Sequence, residues 1–219
     1  MVGEIISFSL VAFSAIFFIV DPFAVVPVFI AMTERDSDEK RRAMARRACL
    51  IAGGVLLFFA LGGSVLFKLL GVTMAAFKIA GGILLLLTSL DMLQSKASQT
   101  KATEGEIAEG TGKDDIAVVP LAMPLLSGPG SIATVTMLTA QSTRLWEIVP
   151  IVVSIVLTAF ISYLVLRAAP FVDRALGKSG QAIVARIMGL LLAAIAVQFV
   201  LSGMREAFPE LIHQVAAPP

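Results

Sequence analysis

The sequence predicts an all-α polytopic membrane protein with six transmembrane helices. They form two three-span repeats of inverted topology (3+3), with spans 1 and 4 discontinuous. Three observations carry this reading. Of 219 residues, 58% are hydrophobic and only 15% are charged, where a soluble domain carries about 45–50% and about 25%. The mean hydropathy is +0.92. The apolar residues also fall into six runs that approach or exceed the roughly 20 residues a helix needs to cross a bilayer. These runs are continuous rather than alternating with period two, which favours helices over a β-barrel. The same composition excludes disorder and disulfide-rich scaffolds, and the single cysteine, Cys49, cannot form an intrachain disulfide. A net charge of +1 gives no bulk attraction to phosphate, so nucleic acid is not an expected partner.

In order, the first span is Ile5–Met32, interrupted by Asp21-Pro22 and by Pro27. Its leading residues, Met1-Val2-Gly3-Glu4, are acidic, and no small-residue cleavage site follows a short apolar run, so it reads as a retained span rather than a signal peptide. Cys49–Leu70 and Met74–Leu93 are simple spans. Gln94–Asp115 is rich in Ser, Thr, Gly, Lys and Glu and reads as a flexible cytoplasmic linker. The fourth span, Ile116–Ala140, carries Pro120, Pro124 and Ser127-Gly128-Pro129-Gly130. Ile148–Leu166 and Ile183–Leu201 complete the six. The expected organisation is a first repeat over 1–93, a linker over 94–117 and a second repeat over 118–219.

Positive charge sets the expected orientation. With the N-terminus outside, the inner connections collect all of the 17 Lys and Arg except Lys68, Lys78, Arg144 and Arg205. Both termini are therefore expected outside, in a multi-pass membrane protein. Trp146 would sit at the outer boundary of span 5. Three spans is an odd number, so tandem halves must be inverted. Two matches support a repeat: Asp21-Pro22-Phe23-Ala24-Val25 against Gly128-Pro129-Gly130-Ser131-Ile132, and Phe77-Lys78-Ile79-Ala80-Gly81 against Ala185-Arg186-Ile187-Met188-Gly189.

The broken spans carry the expected chemistry. Proline removes a backbone donor and clashes with the preceding turn, and glycine permits conformations closed to other residues. Freed amides in hydrocarbon are tolerated only in a protein interior or a watery cavity. Pro22 and Pro129 suit the first position of a half-helix, with Asp21 and Gly128 as caps. The two N-termini would present amides and positive dipole ends near mid-membrane. The candidate substrate-binding residues are Asp21, Pro22, Phe23, Ala24, Ser127, Gly128, Pro129, Gly130, Ser131 and Gln198; no catalytic or metal-ligating residue is expected. Asp21 has two compatible roles, as a cap and as a contact to substrate or a coupling ion. Lys78 and Arg186 read as snorkelling to headgroups, and the pairs Gly53-Gly54, Gly62-Gly63 and Gly81-Gly82 as allowing close helix packing.

Asp21-Pro22-Phe23-x-x-Val26-Pro27-Val28-Phe29, with the run from Pro120-Leu121-Ala122-Met123-Pro124 to Gly128-Pro129-Gly130-Ser131-Ile132, resembles the MarC family of bacterial and archaeal inner-membrane proteins. Arg186-Ile187-Met188-Gly189 leading to Ala196-Val197-Gln198 is similar to that family's last span. The family takes its name from an association with multiple antibiotic resistance. The resemblance implies six spans in the inner (plasma) membrane and, from some members, transport of small neutral amino acids such as glycine and alanine. It implicates the breaks at Asp21–Pro27 and Ser127–Ser131. One departure is that Ala24-Val25 stands where the family usually has Gly-Asn.

The expected function is therefore a secondary transporter or exporter of small neutral amino acids or similar metabolites, and not an enzyme. A zwitterion suits the architecture, its carboxylate on half-helix amides and its ammonium on carbonyls or Asp21. No Walker motif is present, no cofactor is called for, and coupling to H+ or Na+ or by exchange stays open, as does oligomerisation. The alternatives are a non-transporting accessory module and an intramembrane hydrolase. A Ser–His dyad would need a histidine, and the only one, His213, lies outside the spans.

Overall fold

The computed structural model describes residues 2–34, 36–94, 117–142 and 144–208. The Gln94–Asp115 linker beyond Gln94, Ile116 at the start of span 4, and His213 lie outside the described residues. All regular structure among the described residues is helical. Helix α1 covers Val2–Val20, α2 Pro22–Met32, α3 Asp38–Leu69 and α4 Met74–Leu93; a π-helix, π1, covers Ala117–Leu126; α5 covers Pro129–Gln141, α6 Leu145–Arg167 and α7 Ala169–Ala207. Five stretches of helix are long and apolar enough to cross a membrane: 3–32, 38–63, 74–93, 146–167 and 182–207. The expected fourth span is instead seen as π1 and α5, of 10 and 13 residues, each too short to cross alone.

Helix α3 starts eleven residues before the apolar run predicted for it. Ser37 accepts a hydrogen bond from the Lys40 amide at 3.3 Å, and Asp38 and Glu39 occupy the first turn, where the helix dipole favours acids. The charged turns that follow are good helix formers, so the helix runs past the edge of its apolar stretch. Helix α7 likewise begins well before the predicted span, and Gly177, at φ 57°, breaks it into two lengths. That backbone conformation costs a glycine little.

The core lies where the interrupted helices meet the long ones. Val20, Val25, Val26 and Phe29 pack with Ala45, Ala48 and Ala52 of α3, Leu121 and Leu126 of π1, and Ile151 and Ile155 of α6. A second cluster joins Ile19, Leu85, Leu192, Ala196 and Phe199. At one end, Phe8 and Trp146 meet edge-on with ring centroids 5.9 Å apart, which puts the starts of α1 and α6 on the same side.

The closest seam is between α4 and α7. A Cβ on Gly82 would lie 2.8 Å from the Ala196 carbonyl oxygen, one on Gly203 2.8 Å from that of Ala75, and one on Gly189 3.0 Å from that of Ser89. The glycine pairs divide between roles. Gly53, Gly63, Gly81 and Gly82 face neighbours within 3.2 Å, whereas Gly54 and Gly62 face open space.

Lys78 corrects the snorkelling expectation. It is buried, and its Nζ pairs with Glu206 at the far end of α7. The seam brings these ends together, and an ion pair offsets the cost of burying the ammonium.

Candidate functional site

Each interruption has its own backbone solution. Helix α1 ends at Val20, and Asp21 takes the left-handed conformation, φ 46° and ψ 69°. Aspartate tolerates this region better than most residues, at a cost on the order of 1 kcal/mol. Its Oδ1 accepts from the Ala24 amide at 3.3 Å, so Asp21 caps α2, with Pro22 at the first helical position.

The second interruption is built by π1. Pro120 and Pro124 supply no amide, so an α-ladder through this stretch would be broken twice. The wider π turn closes it one residue later: the Ser127 amide donates to the Ala122 carbonyl oxygen at 2.9 Å, and Ser127 Oγ donates to the same oxygen at 2.7 Å. Gly128 then caps α5 in an extended conformation with no side-chain oxygen to offer. Pro129 has no donor, and the ladder restarts with the Ile132 amide on the Gly128 carbonyl at 3.0 Å. The amides of Gly130 and Ser131 therefore have no carbonyl a turn behind them. Ser131 Oγ donates to the Leu126 carbonyl at 3.3 Å.

The end of α1, just before the first break, meets the second break; Asp21, Pro22, Phe23 and Ala24 line neither of the crevices formed there. Ile19, two residues before Asp21, lines a crevice with Gly128, Pro129, Gly130, Ser131, Leu84, Leu85, Thr88 and Leu192. Val20 and Leu126, the residues just before each break, share a second crevice with Cys49, Ala52, Gly53, Leu56, Thr158, Ala159 and Ser162. Each crevice measures about 10 Å³, about the room one water needs. Neither holds an amino acid in this conformation.

Of the predicted site residues, Asp21, Pro22, Ser127, Gly128 and Ser131 are buried at the breaks, with Phe23, Ala24 and Gly130 half-buried and Pro129 exposed. Phe23 meets Phe17 edge-on at 6.4 Å, and Ala24 packs on the Ile19–Leu192 cluster. Gln198 is not brought to the breaks. It lies exposed on α7, while Leu192 and Ala196 take the inward face.

Sequence reasoning missed Thr158 and Ser162. Both are 1% exposed, and neither hydroxyl has a hydrogen-bond partner among the described residues. The other buried hydroxyls do have partners; Ser154, for example, donates to the Pro150 carbonyl at 2.7 Å. An unsatisfied buried hydroxyl costs about 1–3 kcal/mol. The signal was available, since Ser154, Thr158 and Ser162 recur every four residues along one stripe of span 5.

This architecture defines a class: polytopic helical membrane proteins whose interior holds two paired helix interruptions. More particularly, the chain belongs to the MarC family of integral membrane proteins, whose model matches residues 6–208. It is 42% identical over 202 residues to a UPF0056 membrane protein of Methanocaldococcus jannaschii, covering 92% of this chain and 98% of that one. A UPF0056 membrane protein of Aquifex aeolicus is 40% identical over 194 residues, 89% of this chain and 91% of its own length. The UPF0056 membrane protein YhcE of Escherichia coli is 32% identical over 201 residues, 92% and 94% of the two chains. No solved structure matches significantly.

Proposed function

We propose that the chain is a secondary transporter of small neutral amino acids, glycine- or alanine-like, in the inner membrane. The observation that carries this reading is the second break: bare backbone at Gly128 and Gly130, two amides without a capping side chain, and a crevice that reaches them. A carboxylate is the natural partner for such amides. The first break is already capped by its own carboxylate, Asp21, so the anionic end of a zwitterion belongs at α5. The unpartnered hydroxyls of Thr158 and Ser162 supply a polar wall for the other end. Because both crevices are water-sized, transport requires the helices that line them to part.

The helix packing supports six spans in a 3+3 inverted repeat. Exchanging α1, α2, α3 and α4 for π1, α5, α6 and α7 carries most of the principal contacts into one another: α1–α6 into π1–α3, α2–α6 into α5–α3, α2–α7 into α5–α4, and α1–α5 into π1–α2. The α3–α6 and α4–α7 contacts map onto themselves. With such a repeat the breaks approach mid-membrane from opposite sides. Reporter fusions at Pro219 and near Thr103 are expected to report opposite compartments, outside and inside. The same compartment for both would rule out this topology.

Alanine counterflow in proteoliposomes tests the function directly. Exchange of labelled for unlabelled alanine supports transport, and its absence, with glycine also inert, leaves the accessory-module alternative. Thr158→Val combined with Ser162→Ala is expected to raise the apparent KM for alanine roughly tenfold, the value of about one hydrogen bond. Because those hydroxyls have no partner among the described residues, the melting temperature should hold or rise. A fall in stability with KM unchanged would show that they serve packing alone.

A further inference from the structure

We propose that the chain holds a phosphate-binding site at the junction of α3, α6 and α7, separate from the helix breaks. A cavity of about 120 Å³ is lined by Asp38, Arg41, Arg42, Leu166, Arg167 and Pro170. It is about ten times larger than either crevice at the breaks. Its lining includes three arginines and one aspartate, leaving two positive charges in excess. Arg41 is fixed in place: its Nη2 donates to the Thr33 carbonyl at 2.9 Å, and its Nη1 lies 3.6 Å from Asp38 Oδ1. Its Nε is buried with no hydrogen-bond partner. Arg42 and Arg167 form no hydrogen bond or ion pair among the described residues, so their donor forks remain available at the cavity.

The planar guanidinium fork matches a phosphate's oxygens with two parallel hydrogen bonds. The place matters as much as the charge. Arg167 directly follows Leu166, where the apolar run of α6 ends, and Asp38, Arg41 and Arg42 lie on the charged turns of α3 that precede its apolar run, so the cavity sits at a membrane boundary, at the depth of lipid headgroups. Basic pockets between transmembrane helices suit anionic headgroups at that depth. The shared chemistry is a phosphate group, supplied by an anionic phospholipid or by free phosphate.

The test uses the full chain in nanodiscs and in delipidated detergent micelles. Native mass spectrometry should show phosphatidylglycerol retained over phosphatidylcholine by roughly tenfold or more. Arg42→Gln with Arg167→Gln should abolish that preference. Arg46→Gln with Arg174→Gln removes equal charge from exposed positions outside the cavity and should preserve it. Arg42→Lys with Arg167→Lys keeps the charge without the fork and should retain only part of the preference, which covers the case in which the glutamine variant does not fold. In a second arm, inorganic phosphate is compared with chloride at equal ionic strength by melting temperature in micelles. Stabilisation by phosphate without lipid preference assigns the site to a soluble phosphate; lipid preference assigns it to a headgroup. No lipid preference and no phosphate effect overturns the proposal, as does equal loss in the Arg46/Arg174 control.

Discussion

Gly130→Val is expected to reduce alanine counterflow to background. A Cβ at this position would lie 2.4 Å from Leu85 Cδ2 and 3.1 Å from Leu85 Cγ, so even the first added carbon displaces Leu85. Valine's two further methyl groups would fill the crevice in front of the Gly130 and Ser131 amides. Two effects are then mixed, lost packing and lost access, and a second variant separates them. Leu85→Ala alone should destabilise by about 2–5 kcal/mol, because Leu85 is 2% exposed and its removal leaves a cavity. The double variant should be more stable than the sum of the single changes predicts, since the valine occupies the space the leucine vacates. Counterflow should nevertheless stay at background, because the amides remain covered. Recovery of transport in the double variant would mean that the amides are not the binding site. Ser131→Ala should be far milder, as its hydroxyl already donates to the Leu126 carbonyl.

Gly82→Val is expected to give the largest loss of stability. The neighbours of a Cβ at Gly82 include backbone atoms of α7, the Ala196 oxygen at 2.8 Å and the Val200 nitrogen at 3.0 Å. Backbone cannot rotate aside as a side chain does, so the helices must separate along a seam where Gly189 and Gly203 make similar approaches. Overpacking of a tight core costs about 1–3 kcal/mol and more when backbone must shift. The prediction is a melting temperature several degrees lower in detergent. Gly54→Ala is the control: nothing lies within 4 Å of its Cβ, and replacing a mid-helix glycine by alanine gains about 0.5–1 kcal/mol. Equal effects at the two positions would show that the α4–α7 seam is not closed in the membrane.

What the sequence alone determined is what depends on neighbours along the chain. Continuous apolar runs set the helical membrane class, because hydrocarbon leaves a backbone few ways to satisfy itself. Asp21-Pro22 and Gly128-Pro129 fixed where two half-helices begin, since a cap and a proline act within one turn. Tertiary structure decided what depends on residues far apart in sequence. Lys78 could be read as snorkelling until Glu206 was placed beside it by the α4–α7 seam. The glycine pairs looked alike until packing gave Gly82 a neighbouring helix and Gly54 open space. Gln198 and Thr158 are both polar residues in apolar spans, and only the rotation of each helix in the bundle turned the first outward and the second into the crevice. The π turn at Ala117–Leu126 sits between these cases: two prolines forbade an ordinary ladder there, but the two hydrogen bonds that Ser127 donates to the Ala122 carbonyl, from its amide and its hydroxyl, selected which ladder replaced it. Rotation, seam and partner follow from three-dimensional packing, a free energy summed over contacts that no local stretch of sequence contains.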